Sequence, residues 1–227
     1  MKNAIILLSG VLDSTTVLAK AKHDGYALHT VSFNYGQKNH FEFIAAEKIS
    51  RLYGAKSHNL ININLGQIGG SSLTTSQEVE KNRPMNNIGK DIPATYVPAR
   101  NTIFLSYALA FAEVIPSQDI FIGANQLDFS GYPDCRPDYF EAFEAMANLA
   151  TRQGTTKNTI KIHTPLINLN KADIVRLGLE LGVDYSQTIS CYDPSESGSA
   201  CGSCDACLLR QKGFEELGLE DPAFIGN

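Results

Sequence analysis

"AIILLSGVLDSTT" (Ala4–Thr16) decides the fold. Its first five residues, Ala4–Leu8, are a continuous apolar run, the pattern of a short strand buried on both faces. Ser9 and Gly10 break that run. From Ser14 to His23, Val17, Leu18 and Ala21 recur at helical spacing, and Gly25 follows as a stop. The order is strand, tight turn, helix. First-turn amides of such a helix lack partners, and the helix dipole favours an anion there. Ser9–Ser14 therefore reads as a phosphate-holding loop. Hydroxyls of Ser9, Ser14, Thr15 and Thr16 add donors, and Asp13 is placed to cap the helix or to help hold magnesium. An ordinary capped strand–helix turn has the same composition. The loop has no lysine, so it is not the Gly-Lys-Ser/Thr type. Val11 stands where such a turn would favour glycine.

The same alternation continues outward. Tyr26–Tyr35 reads as a strand, and "FEFIAAEKISRLYG" (Phe41–Gly54) as a helix with Phe43, Ile44, Ala46, Ile49 and Leu52 inward. Lys56–Ile63, Asp119–Ala124 and Thr159–Leu166 read as strands. Asn101–Ile115, Tyr139–Gln153 and Lys171–Gly182 read as helices. Short apolar strands alternating with helices imply a parallel α/β sheet covered on both faces. Crossovers should be right-handed, with ligands beyond the carboxyl ends of the strands. Residues 66–98 break the pattern, being rich in Gly, Ser, Thr and Asn with Pro84, Pro93 and Pro98. A loop this long is expected to cover substrate or contact another subunit, unless it is a plain disordered insertion.

At 227 residues, 43% hydrophobic and 19% charged, the chain can build one sizeable core or one core plus an appendage. A net charge of -5 gives no general attraction to nucleic acid, and no apolar run approaches the roughly 18 residues of a membrane span. The five apolar residues of Ala4–Leu8 are too few for a secretory segment, so a cytoplasmic location is expected.

Five cysteines in such a compartment are not expected to form disulfides. Four of them, Cys191, Cys201, Cys204 and Cys207, follow a C-x9-C-x2-C-x2-C spacing. Two-residue gaps turn successive thiolates onto one ion, and four thiolates make a closed structural zinc site. An iron–sulfur cluster is the rival reading. Cys135 stands apart.

"NQLDFSGYPDCRPDYF" (Asn125–Phe140) follows the Asp119–Ala124 strand. Asp128 or Asp134 could accept from a guanine-like edge, Arg136 could face a carboxylate or phosphate, and Tyr132 could stack on a flat base. A polar surface loop with turn residues Gly131 and Pro133 would look the same. Arg100 and Asn101, in "YVPARNT", open a buried helix. Lys171 opens another and is a possible phosphate contact or a plain surface lysine.

Ser-Gly-x-x-Asp-Ser after a first strand resembles the pyrophosphate loop of the N-type ATP pyrophosphatases. "SGVLDSTT", "SFNYGQ", "YVPARN", "GANQLDFSGYPDCRPDYF", "TPL" with "KADIV", and "ACGSCDACLLR" together resemble, in that order, the 7-cyano-7-deazaguanine (preQ0) synthase family within that group. The resemblance runs from Ile5 to about Phe214. It implies a doubly wound parallel sheet, with an ATP- and substrate-binding domain over 1–185 and a zinc-binding segment over 186–227 packed on it. It implies an ATP-dependent ligase of queuosine biosynthesis acting on 7-carboxy-7-deazaguanine and ammonia, with Mg2+-ATP, through an adenylated carboxylate and an adenylated amide. Leu8, Ser9, Gly10, Val11, Leu12, Asp13, Ser14, Thr15, Thr16, Val17 and Leu18 would hold ATP. Asp13, Ser14, Arg100 and Lys171 would stabilise charge in the reaction. Asp128, Tyr132, Asp134 and Arg136 would hold the deazaguanine. A homodimer is implied, with no direct nucleic-acid or membrane contact. The family pattern has a second glycine where this chain has Val11. Either φ is negative there and the side chain points away, or ATP binding is weakened. The alternatives are a tRNA-modifying thiolase- or lysidine-type relative and a non-catalytic nucleotide-binding module.

Overall fold

The structure is a computed structural model that describes residues 1–125, 131–156 and 159–224. Along them run β1 (Asn3–Leu7), α1 (Leu12–His23), β2 (Ala27–Asn34), α2 (Phe41–Leu52), β3 (Ser57–Asn62), α3 (Arg100–Val114), β4 (Asp119–Phe121), α4 (Pro137–Ala150), β5 (Lys161–His163), α5 (Lys171–Glu180) and α6 (Asp205–Glu215). The strands make one sheet in the order β3-β2-β1-β4-β5, and every pairing is parallel.

Period two along β1 sends its side chains into two cores. Ile5 and Leu7 join Val31, Phe33, Ile120, Leu105 and Phe140 on the face covered by α3 and α4. Ala4, Ile6 and Leu8 join Leu18, Ala46, Ile49 and Ile174 on the face covered by α1, α2 and α5. Full burial of each Ile or Leu contributes about 1.5–3 kcal/mol. That favours β1, apolar on both faces, at the centre of the sheet. Because β1 pairs with β2 on one side and β4 on the other, strand order reverses beside it, and a crevice opens at the carboxyl ends of β1 and β4.

Two expectations need correction, and one helix lies outside them. On α2 the buried residues are Ala45, Ala46, Ile49 and Ser50, while Ile44 and Leu52 are 53% and 62% exposed. The reason is close packing: α2 lies against the backbone of Gly10, where only small side chains fit. Residues 66–98 are not a disordered insertion, and none of them lines the main cavity. They bury Leu73, Val79 and Val97 in the α3-side core and run beside the cysteine segment. There Lys81 bridges Cys204, the Asn82 amide donates to the Ser203 carbonyl at 2.7 Å, and Arg83 meets Asp205 at 2.8 Å. Finally, α6 was not expected at all, because its inward face carries Asp205, Arg210 and Gly213 beside apolar residues.

Candidate functional site

The crevice is built first by the turn after β1. Gly10 has φ +78°, and a Cβ there would sit 2.4 Å from the Glu42 carbonyl oxygen and 2.7 Å from the Ala46 nitrogen. Gly10 is thus the position that demands glycine, on both backbone and space. Val11 has φ -86° and ψ 167°, extended backbone that a β-branched residue adopts readily. Of the first alternative open for the valine, the negative φ holds, but its side chain does not point away: Val11 lines the cavity.

The first helical bond of α1 runs from the Thr15 amide to the Val11 carbonyl at 3.1 Å, leaving the Asp13 and Ser14 amides ahead of the ladder. Ser14 Oγ accepts from Ser9 N and Ser9 Oγ at 3.2 and 3.0 Å, closing the turn. Of the stretch expected to hold ATP, Leu8, Ser9, Val11, Leu12, Asp13 and Ser14 line the cavity. The others do not. Thr15 Oγ1 donates back to the Val11 carbonyl, and Thr16 Oγ1 pairs with the Leu12 carbonyl and the Tyr185 hydroxyl. Val17 and Leu18 are wholly core.

Asp13 does not cap α1. Its two oxygens take the Lys171 ammonium at 2.8 and 2.9 Å, both residues being buried. Lys171, the first residue of α5, is therefore no surface lysine. The ion pair is possible because α6 passes close by: a Cβ on Gly213 would sit 2.6 Å from Lys171 Cγ. Arg100, the first residue of α3, lines the same cavity. Ala99 before it holds φ 55°, a left-handed turn that costs a non-glycine residue on the order of 1–3 kcal/mol. Burial opposes the Arg100 charge, but Tyr35, Tyr132, Asp134 and Cys135 around it hold the guanidinium protonated.

The deazaguanine candidates separate. Tyr132 lines the cavity, with its hydroxyl 2.9 Å from Thr95 Oγ1. Asp134 does not line it; its carboxylate accepts the Asn101 amide at 3.0 Å and its carbonyl accepts the Asn101 side chain at 2.9 Å, so it anchors the head of α3. Arg136 is turned outward, bonded to the Pro133 carbonyl at 3.2 Å with 57% of its side chain exposed. Asp128 lies outside the described residues. Cys135 lines the cavity as a neutral thiol, pushed up to about 12 by burial and by Asp134.

The cavity also takes residues that pattern reading did not single out. Phe33 and Phe104 stack with centroids 3.9 Å apart, forming part of an aromatic wall with Tyr35 and Phe43. Glu42, in the first turn of α2, puts a half-buried carboxyl on that wall; burial pushes it up to about 8, against the pull of Arg100 and a hydrogen bond from Gln37. Within "SFNYGQ", Phe33 and Tyr35 are the sequence signal for this wall. Tyr192, Ser190, Leu209 and Arg210 close the cavity from the C-terminal segment. Arg210 is 2% exposed and clamps Asp221 at 2.8 and 2.9 Å, Thr188 Oγ1 at 2.7 Å and the Tyr185 carbonyl at 3.0 Å. The cavity has a volume of about 180 Å³ and opens to solvent.

The Sγ atoms of Cys191, Cys201, Cys204 and Cys207 all lie within 4.8 Å of one another. Backbone amides of Cys201, Tyr192 and Cys204 donate to the sulfurs of Cys191, Cys204 and Cys201 at 3.2, 3.4 and 3.4 Å. Amides aimed at sulfur suit thiolates, and bonds from the Cys191 and Cys207 thiols hold the Cys204 thiol far below its ordinary range. The cluster can hold a metal ion.

Comparison with known proteins follows the same lines. The family model described as "Queuosine biosynthesis protein QueC" matches residues 3–218. A protein named 7-cyano-7-deazaguanine synthase from Hydrogenovibrio crunogenus is 56% identical over all of this chain and 97% of its own length. One of the same name from Paramagnetospirillum magneticum is 56% identical over 98% of each. Among solved structures, NMN synthetase from Francisella tularensis aligns with TM-score 0.51 at 16% identity over 96% of this chain and 78% of that one. A predicted subunit of tRNA methyltransferase from Methanocaldococcus jannaschii aligns with TM-score 0.50 at 14% identity, over 100% of this chain and 93% of that one. These two share the fold and carry nothing further. With nearly its whole length matched at such identity, the chain belongs to the queuosine biosynthesis QueC family.

Proposed function

We propose that this chain is the ATP-dependent ligase that converts 7-carboxy-7-deazaguanine and ammonia to 7-cyano-7-deazaguanine. The observation that carries the reading is the meeting of three groups on one cavity: the Ser9–Ser14 turn, whose Asp13 and Ser14 amides precede the helix ladder, the Asp13–Lys171 pair, and Arg100. Relatives named for this product, more than half identical over nearly the whole chain, support it.

The substrate carboxylate attacks the α-phosphorus of ATP, and pyrophosphate leaves. Charge grows on the leaving oxygens, so donors must already point there. The Asp13 and Ser14 amides and the Ser9 hydroxyl supply neutral donors, and the α1 dipole adds to them. Lys171 supplies positive charge, and Asp13 holds it in place. Arg100, on the same cavity, meets the carboxylate. Mg2+ accompanies the ATP and neutralises phosphate charge. Ammonia then displaces AMP to give the amide; a second ATP activates the amide oxygen, and loss of AMP leaves the nitrile. Tyr132 and the Phe33–Phe104 wall give the flat ring a surface to lie on.

The four cysteines hold zinc in this reading, as a closed structural site that pins the C-terminal segment over the cavity. The chain acts in the cytoplasm, as a homodimer. The test is an ATP-dependent assay with 7-carboxy-7-deazaguanine and ammonium. Nitrile should form with release of AMP and pyrophosphate; if no nitrile forms under any ammonium concentration, the reading is wrong.

A further inference from the structure

Both product-forming steps of the proposed reaction release a proton from nitrogen. In the first, the lone pair of ammonia attacks the acyl-adenylate carbon, the carbon–oxygen bond to AMP breaks, and the nitrogen must lose a proton to become the amide. In the second, the adenylated amide loses its N–H proton as the carbon–oxygen bond to AMP breaks and the third carbon–nitrogen bond forms. Each step balances only if something in the cavity accepts the proton.

Few groups on the cavity wall can do so. Among the described residues, the carboxylates lining the cavity are Asp13 and Glu42. Asp13 has both oxygens on the Lys171 ammonium and is a poor acceptor. Arg210 is tied to Asp221, and Arg100 stays charged. The Tyr35 hydroxyl, pushed up by burial, stays protonated, and so does the Cys135 thiol. Tyr132 and Tyr192, likewise pushed up by burial, stay protonated as well. Glu42 is left.

Its setting suits the task. Glu42 makes no ion pair within 4.0 Å among the described residues, although Arg100 and Tyr35 are close enough to act on its charge. Gln37 steadies it. The Gln37 amide nitrogen donates to the Phe33 carbonyl at 3.1 Å, its oxygen accepts the Tyr35 amide at 2.8 Å, and it also bonds the Glu42 carboxyl. The Glu42 backbone packs directly on Gly10 of the phosphate turn, and Glu42 lines the same cavity as Ser9, Asp13 and Ser14. Phe33, Phe43 and Phe104 keep this wall apolar, a lining that favours neutral ammonia over ammonium.

We infer that Glu42 is the proton acceptor for amide and nitrile formation, oriented by Gln37. The inference rests on the ligase reading above. Burial brings this carboxyl up to about 8, close to the working range for taking protons from nitrogen.

The experiment compares the native chain with E42Q and E42D. Carboxylate-dependent exchange of pyrophosphate into ATP reports adenylation alone and needs no ammonia. Nitrile release reports the whole sequence. For E42Q, exchange should stay within about 3-fold of native, and nitrile formation should fall roughly 10²–10⁴-fold, the span of general base catalysis. E42D should recover part of the loss. Corrected for free ammonia, the native rate should rise with pH up to about 8 and the E42Q rate should be flat. Nitrile formation by E42Q within a few-fold of native would overturn the inference. So would an equal fall in exchange and nitrile by a variant that melts like native, because that would make Glu42 a binding group. A native chain that exchanges pyrophosphate but makes no nitrile overturns the ligase reading itself, and the inference with it.

Discussion

Two adjacent residues in the phosphate turn carry opposite demands. Gly10 has positive φ and no room for a Cβ, while Val11 is extended with a side chain against the cavity. The sequence pattern showed that one turn glycine was replaced, but not which position carried the strained backbone. That depends on φ, and on α2 packing from residues thirty positions away. Gly10→Ala should destabilise the fold by about 2–4 kcal/mol, combining left-handed strain with a backbone clash, and should abolish pyrophosphate exchange. Val11→Gly should leave exchange within about 2-fold of native and cost under ~1 kcal/mol, the flexibility added to the unfolded chain. Thermal unfolding of both variants checks the order; a V11G chain markedly more active than native would show that valine does hinder the turn. Glu42 makes a second claim at this scale. Its folded pKa lies above the ordinary 4.5, so between about 4.5 and 8 the folded chain holds a proton that the unfolded chain has released. Stability should fall with rising pH across that window, and less steeply in E42Q. Denaturant unfolding at pH 5 and pH 8 reads the difference.

Elements with plain periodicity were legible, and those with mixed faces were not. β1, α1 and α5 follow simple apolar patterns and lie within two residues of expectation. α6 was missed because Asp205 and Arg210 turn inward, so its buried face does not look apolar. Yet α6 joins two sites: Cys204 and Cys207 sit at its start, and Arg210 and Leu209 reach the cavity. Arg210 is also the clamp on Asp221, and a buried pair with one partner removed costs about 3–5 kcal/mol. Metal loss should therefore be felt at the active site. Removing the ion with a chelator, or substituting Cys207→Ser, should speed hydrogen exchange along 191–215 and lower nitrile turnover at least about 10-fold. Amides in β1 and β2 should keep their protection. Unchanged exchange in α6 after verified metal loss would show that helix packing on α5, not the ion, holds the segment.

The whole-molecule reading came from order and charge. Strand–helix alternation pointed to the doubly wound sheet, and the sheet's reversal beside β1 brought together loops that lie far apart in sequence. What could not be read was which side chains face the crevice. Asp134 and Arg136 sit in the right loop, but one anchors α3 and the other faces solvent, and this depends on how α3 and α4 meet. The fold itself does not choose a substrate, since it is shared with a tRNA methyltransferase subunit and with NMN synthetase at 16% identity or less. Charge helps to choose. A protein that holds tRNA neutralises several phosphates with clustered Lys and Arg, whereas here 24 acidic residues outnumber 19 basic ones. Two of the positive groups best placed to meet a ligand, Lys171 and Arg100, line the cavity and are not on an open face. Unmodified tRNA should therefore bind no more tightly than about 10⁻⁴ M at physiological salt, the weak end of non-specific affinity, and should not change turnover of the free deazaguanine. Filter binding at two salt concentrations measures this directly. Micromolar binding with a steep salt slope would revive the tRNA-modifying alternative, and would demand a basic patch that the described surface would then have to supply.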